Sequence, residues 1–175
     1  ITLLATPLPK ENIQDFARQF EWSRFGQGIV QQMERYNMEQ AKQRQAHAVL
    51  DTSSRVAKAK KIEILMQLGS YTEPLRVLEI GCGSGGIAYY FATHATLECE
   101  VFAVDVYDNR LVSDGYHFQK VDGVELPFSD RYFDLVITNH VIEHVGEYSK
   151  QQRHLEELKR VLKTTGQCYL AVPNR

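Results

Sequence analysis

The amino-acid sequence predicts an α/β fold built on a parallel sheet, and three observations carry that prediction. Short apolar runs recur near residues 75–80, 100–105, 117–121, 133–138 and 167–172, each bounded by turn-forming residues. Segments with apolar residues at helical spacing lie between most of these runs, the pattern of a sheet whose strands are joined by right-handed crossovers. Four glycines fall within Gly81-Cys82-Gly83-Ser84-Gly85-Gly86, between the first run and a helical segment, where a ligand can approach bare backbone and the N–H groups at a helix start.

Two parts divide the chain. Residues 1–70 read as an N-terminal helical extension that packs on or caps the site, and residues 71–175 as the sheet domain. Residues 1–10 contain Pro7 and Pro9 and read as an extended leader. Asn12 caps a short helix carrying Ile13, Phe16, Ala17 and Phe20. A second helix follows Trp22, Phe25 and two glycines, with Ile29, Met33, Tyr36 and Ala41 on one face and a polar stretch from Gln31 to Gln45 that must stay wet. For Trp22, Phe25 and Tyr36 two readings stand, packing onto the sheet or a lid over the ligand. The cluster Asp51-Thr52-Ser53-Ser54 caps a third helix, with Val56, Ala59, Ile62 and Leu65 or Met66 facing inward and Gly69 at its end. Arg55, Lys58, Lys60 and Lys61 read as its solvated face.

The first strand carries Leu75, Val77, Leu78 and Ile80. Ser84 is placed to cap the helix after it, in which Ile87, Tyr90, Phe91 and Ala95 face the core. Val101 to Val104 form the second strand, ending at Asp105. Only about eleven residues separate Asp105 from the third strand, close to the lower limit for a parallel crossover, so a helix there is one turn or absent. A helix from Ser149 to Leu162 turns Leu155, Leu158, Val161 and Leu162 to the sheet, and Thr164-Thr165-Gly166 turns the chain into the fifth strand, which is apolar at nearly every position. As the last strand present, 167–172 offers unpaired backbone groups, an edge that invites self-association with a second copy.

Composition bounds the function. With 175 residues and 43% hydrophobic content the chain can bury one good core. A net charge of −2 gives no basic field of the kind nucleic-acid binding needs, and no apolar run is long enough for a membrane span. Cys82, Cys99 and Cys168 are too few and too scattered for a metal cluster or a disulfide framework, which makes the cytoplasm the expected location. The chain begins at Ile1 rather than Met, as a processed or truncated piece would.

The glycines parse in two ways. Gly81-x-Gly83-x-x-Gly86 fits a dinucleotide fingerprint, and Glu79-x-Gly81-x-Gly83-x-Gly85 fits the pattern of S-adenosylmethionine enzymes. Asp105, nineteen residues beyond Gly86, sits where a carboxylate accepts hydrogen bonds from ribose hydroxyls of either ligand. Glu79, in an otherwise apolar strand, needs a partner such as a ligand ammonium or nearby backbone donors, and would repel a pyrophosphate.

The segments Val121-Asp122-Gly123-Val124-Glu125-Leu126-Pro127-Phe128, Tyr132-Phe133-Asp134-Leu135-Val136-Ile137 and Asn139-His140-Val141-Ile142-Glu143-His144-Val145, with the glycine turn, resemble the consecutive motifs of the class I S-adenosylmethionine-dependent methyltransferases, in the broad branch acting on small molecules. The resemblance covers about residues 75–175. It implies a doubly wound, Rossmann-like parallel sheet of order 3-2-1-4-5 with N-terminal helices, lacking the last two strands of the family. It also implies S-adenosyl-L-methionine as donor and S-adenosyl-L-homocysteine as product, with a small-molecule acceptor and neither nucleic acid nor membrane as partner. Glu79, Gly81, Gly83 and Gly85 would then hold the methionine part, Asp105 the ribose, Asp122 the adenine amino group, and Asn139 and His140 the region beside the sulfonium. Cys82, Val106 and Gly123 complete the donor-binding set. His140 and His144 are the candidate catalytic residues, each also capable of donor contacts or helix-terminal hydrogen bonding. Asp134 resembles a structural carboxylate at a strand start.

His140-Val141-Ile142-Glu143-His144 also spells the zinc-protease string H-x-x-E-H. That reading needs both histidines on one helical face and a third ligand, and the string lies where the methyltransferase pattern already expects it, so no metal is assigned. A non-catalytic module that binds S-adenosylmethionine and an NAD-dependent oxidoreductase are the competing functions. The acceptor atom, oxygen, nitrogen or carbon, stays open.

Overall fold

A computed structural model of the protein describes residues 52–173. The leader, the two helices before residue 50 and the choice between packing and lid for Trp22, Phe25 and Tyr36 lie outside the described residues. Helix α1 spans Thr52–Leu65 and is followed by a 3-10 turn at Leu68–Ser70. Strand β1 (Leu75–Ile80), helix α2 (Gly86–Thr93), β2 (Cys99–Asp105), β3 (His117–Lys120), β4 (Phe133–Asn139), a 3-10 turn (Ile142–His144), α3 (Tyr148–Val161) and β5 (Leu162–Ala171) complete the order. The five strands form one sheet in the order β3-β2-β1-β4-β5, and every neighbouring pair is parallel. This is the doubly wound, Rossmann-like arrangement implied by the sequence.

Alternation along the strands sorts side chains to two cores, because successive residues of a strand point to opposite faces. Leu75 and Val77 of β1 join Val101, Ala103, Leu135 and Ile137 under α1 and α2, whose Ala59, Ile62, Ile87 and Phe91 close that side. Leu78 and Ile80 join Val104, Phe133 and Val136 under α3, which contributes Leu155, Leu158 and Val161. Burying each large side chain of this kind is worth about 1.5–3 kcal/mol, so covering both faces stabilises the strand ends that carry the polar groups. Helix α1 shares its core with the sheet from Ala59 onward.

The strands lie within a residue or two of the predicted runs, except β5. It starts at Leu162, directly after α3, where a turn at 164–166 was expected. The turn is replaced by an irregularity in the ladder: Phe133 pairs with Leu162 and Leu135 with Gln167, so the extra residues bulge between them. Gly166 sits there because a Cβ would lie 2.8 Å from Leu162 Cδ1 and 3.0 Å from the Asp134 carbonyl. Asp134 itself accepts from the Arg76 N–H (3.0 Å) and from Lys163 Nζ (2.8 Å), tying β1 and β5 to β4 at the strand starts.

Of the alternatives Leu65 or Met66 for the inner face of α1, Met66 packs against the core and Leu65 is 54% exposed. Two expectations for the helices change. The helix ends at Leu65 rather than Gly69, with Gln67 taking a left-handed φ of 53° before the 3-10 turn. Ser84 does not cap α2: the N-cap residue is Gly85, with no side-chain cap bond, and the Ser84 hydroxyl is buried without a partner among the described residues. The eleven residues between β2 and β3 contain no helix, as their length required.

Candidate functional site

The carboxylate that serves the start of α2 comes from the strand before it. Glu79, 1% exposed, accepts the Ala88 N–H at 2.8 Å, one of the donors that the first helical turn leaves unpaired. Burial pushes its pKa up to about 8, against the pull of that N–H and of the Arg55 charge. The turn between them runs through left-handed backbone. Gly83 has φ +52° and its Cβ direction is open, with Arg55 Nη2 as the nearest atom at 3.9 Å. Gly85 has φ +79°, and there a Cβ would strike the Tyr116 hydroxyl and come within 2.6 Å of the Val112 carbonyl. Gly83 therefore presents bare backbone to a ligand, whereas Gly85 makes room for the chain's own loop.

That loop, 106–116, is fastened to the turn. Leu111 and Val112 donate their N–H groups to the Ser84 carbonyl at 3.0 and 3.3 Å, and the Tyr116 hydroxyl donates to the Val112 carbonyl. Asp105, at the end of β2, accepts the Gly83 N–H at 2.8 Å through Oδ2 and the Tyr107 N–H at 3.2 Å through Oδ1. Each oxygen keeps a lone pair for another donor. Backbone bonds thus aim this carboxylate at the space above the glycines.

A cavity of about 550 Å³ runs from Gly81 and Asp105 past Val106, Asp122 and Gly123 to His144, Lys150 and His154. Of the sequence-predicted residues it brings together Gly81, Asp105, Val106, Asp122, Gly123 and His144. Glu79, Gly83, Gly85, Asn139 and His140 are not among the residues that line it. The side chain of Cys82 is in the core, where burial pushes the thiol pKa up, so only its backbone is available at the site.

Asn139 and His140 stand at the exit of β4. His140 holds a left-handed φ of 59°, uncommon for a residue with a side chain and a form of strain that clusters at functional sites. Its Nδ1 lies 3.2 Å from Oε1 of the buried Glu143, whose Oε2 has no partner among the described residues. Asn139 Oδ1 and Thr138 Oγ1 are likewise buried and unpartnered. The H-x-x-E-H string is no helix: His140 precedes the 3-10 turn and His144 ends it, so the two imidazoles do not share a helical face.

Sequence reasoning missed three groups near the cavity. Arg55 is not on a solvated face: its Nε is buried without a partner among the described residues, and its stem rests where a Cβ on Gly86 would lie, 2.7 Å from Arg55 Cβ. The fourth glycine of the turn was the one available signal. His154, 2% exposed, lines the cavity with Nε2 unpartnered, and burial lowers its pKa to about 4. Glu157 and Arg160 anchor the cavity wall after Gly123. Glu157 accepts the Leu126 N–H at 2.7 Å, while Arg160 donates to the carbonyls of Leu126 and Phe128 at 2.9 and 2.7 Å. The hydrogen bonds of Arg160 hold the Glu157 pKa below the usual carboxylate range.

With this geometry in place, residues 78–170 match the model of the methyltransferase domain family. A mouse protein assigned as tRNA methyltransferase 9B is 33% identical over 98 residues, 55% of this chain and 21% of that protein. The fatty-acid O-methyltransferase of Mycolicibacterium smegmatis is 34% identical over 100 residues, 54% of this chain and 35% of that enzyme. The chain spans less than half the length of the curated relatives it matches. Among solved structures, a Pyrococcus horikoshii OT3 protein superimposes with a TM-score of 0.53 at 23% identity, over 69% of this chain and 59% of that one, a likeness of fold.

Proposed function

Because this chain belongs to the methyltransferase domain family, we propose that it moves a methyl group from S-adenosyl-L-methionine to a small-molecule acceptor by in-line displacement. The observation that carries this reading is the placement of Asp105, aimed by the Gly83 and Tyr107 N–H groups beside an open glycine face and at the mouth of the cavity that continues to Asp122. The donor supplies a methyl on a sulfonium, whose departure needs little chemical help, so the protein's part is alignment and proton removal.

Glu79, Gly81 and Gly83 hold the methionine part, with the Cys82 and Gly85 backbone completing the turn. Asp105 accepts from the ribose hydroxyls, and Val106, Asp122 and Gly123 receive the adenine. Asn139 and His140 face the sulfonium side. His140, held beside Glu143, and His144, on the cavity wall, are the two groups that would take an acceptor proton. The 1–70 segment packs on or caps this site.

The net charge of −2 favours a small acceptor over nucleic acid. No helix among the described residues is long and apolar enough to cross a membrane. The three free cysteines fit a reducing compartment, the cytoplasm. The far edge of β5 is unpaired among the described residues, which favours self-association of the 175-residue chain through 167–172.

Calorimetry with S-adenosylhomocysteine and with NAD tests the donor: binding of the first alone is expected, and binding of NAD alone contradicts the reading. Incubation with methyl-labelled S-adenosylmethionine and a cell extract tests the acceptor. Label in the small-molecule fraction is expected. Label only in nucleic acid or protein contradicts a small acceptor, and donor binding without transfer to any fraction favours the non-catalytic module.

A further inference from the structure

The exit of β4 sets a histidine between a pinned backbone and a buried carboxylate. His140 takes a left-handed φ of 59°, and its N–H donates to the Ala171 carbonyl of β5 at 3.0 Å. The chain then enters the 3-10 turn Ile142–His144, closed by the His144 N–H on the Val141 carbonyl at 2.8 Å and seated by Ile142, which is buried in the core under α3. This turn brings Glu143 back over the residue three before it. The Glu143 side chain is 3% exposed and that of His140 42%, with the imidazole Nδ1 3.2 Å from Glu143 Oε1. Oε2 has no partner, and no lysine or arginine pairs with this carboxylate among the described residues.

A buried carboxylate without a counter-charge is costly, so Glu143 favours a proton, and later a positive charge, on the nitrogen nearest to it. On His140 that nitrogen is Nδ1. The two nitrogens of an imidazole point to different sides of the ring, and a proton on one leaves the lone pair on the other. We infer that Glu143 is a positioning residue for methyl transfer: it holds neutral His140 as the Nδ1–H tautomer, leaves Nε2 as the proton acceptor and balances the charge of the imidazolium that forms. This inference rests on the reading of His140 as a group that takes the acceptor proton, and adds the residue that prepares it. In the step, a lone pair of the acceptor atom forms the bond to the methyl carbon, and the methyl–sulfur bond breaks with its electron pair going to sulfur. The acceptor's proton passes to His140 Nε2, and the imidazolium afterwards gives it up to water.

Nitrogen-15 NMR of the histidine-labelled protein reads the tautomer with neither donor nor acceptor present. At about pH 8, where ordinary imidazoles are uncharged, the shifts of Nδ1 and Nε2 show which of them carries the proton. His140→Gln assigns the signal among the six histidines. Wild type should hold the proton on Nδ1. Glu143→Met, which keeps the length of the side chain and removes both oxygens, should move it to Nε2, the form that an unrestrained histidine favours. Glu143→Gln, whose amide oxygen also accepts, should restore the Nδ1–H form. Transfer of labelled methyl from S-adenosylmethionine to the small-molecule fraction of a cell extract should fall by about 10- to 100-fold in Glu143→Met, with the affinity for S-adenosylhomocysteine unchanged. A wild-type proton on Nε2, the same tautomer in Glu143→Met, or wild-type transfer after the tautomer has moved would each overturn the inference. Should Glu143→Met fail to fold, the wild-type tautomer still decides. Absence of transfer by wild-type protein that binds S-adenosylhomocysteine is a different failure, which removes the reaction and this inference with it.

Discussion

At the ends of β1 and β2 the carboxylates are committed within the chain: Glu79 accepts from Ala88, and Asp105 from Gly83 and Tyr107. At the end of β4, Thr138 Oγ1, Asn139 Oδ1 and Glu143 Oε2 are buried with no partner among the described residues, and His140 holds left-handed backbone. On the glycine side Ser84 Oγ and Arg55 Nε are the orphaned atoms among the described residues, neither of them a carboxylate. A buried polar atom without a partner costs about 1–3 kcal/mol, so both ends carry this cost, and at the β4 exit it includes the carboxylate of Glu143. The carboxylates at the glycine turn are pre-organised by local bonds, while the β4 exit is polar and strained.

The largest expected effect comes from attacking the finished side where it has no slack. Gly85→Ala forces a Cβ into the Tyr116 hydroxyl and the Val112 carbonyl at a φ of +79°, and should cost more than about 3 kcal/mol in urea denaturation. A cost below about 1 kcal/mol would mean that the 106–116 loop is not fastened to the turn. Arg160→Ala comes next. It removes donors from the Leu126 and Phe128 carbonyls and from Glu157, and should destabilise by about 2–3 kcal/mol. By contrast Arg153→Ala, which deletes only an exposed pair with Glu125, belongs at the bottom of the scale, within about 0.5 kcal/mol of wild type.

A pH titration of stability falls between these extremes. Glu79 is raised from 4.5 to about 8 by burial, so across that range the folded protein keeps a proton that the unfolded chain has released, and stability falls as pH rises. His154 is lowered from 6.5 to about 4 by burial. Between those values the unfolded chain binds a proton that the folded protein excludes, and stability rises with pH. From pH 6.5 to 8 Glu79 acts alone of the two. The thermal midpoint of the wild type should drop over that interval, and Glu79→Gln should abolish the drop. A midpoint equally pH-dependent in Glu79→Gln would remove Glu79 as its source.

The same contrast governs what the sequence makes legible. The strands and the glycine turn are written in local apolar runs and in a contiguous motif, and they fold where those signals lie. The committed partners of Glu79 and Asp105 are near in sequence or one strand away. Arg55 was misread because its burial depends on Gly86, thirty-one residues later, and periodicity along a helix carries no information about which turn the helix crosses. His154 and Gln151 occupy apolar-face positions on α3 with polar side chains, so the pattern counted leucines and valines and passed over them. Ser84 had the residue type of a cap, but the carboxylate of Glu79 arrived from the sheet and took the donor. Tertiary placement decided each of these cases.

The central claim is that the open backbone of Gly83, beside Asp105, receives the methyl donor. Calorimetric titration of S-adenosylhomocysteine into wild type, Asp105→Ala and Gly83→Val tests it most directly, with circular dichroism showing that each variant is folded. Asp105→Ala should weaken binding by about 1.5–3 kcal/mol through loss of the ribose hydroxyl bonds. Gly83→Val should bind no ligand, because the valine side chain fills the face that has no atom nearer than Arg55 Nη2 at 3.9 Å. A folded Gly83→Val protein that binds with wild-type affinity would show that the donor does not lie on this turn.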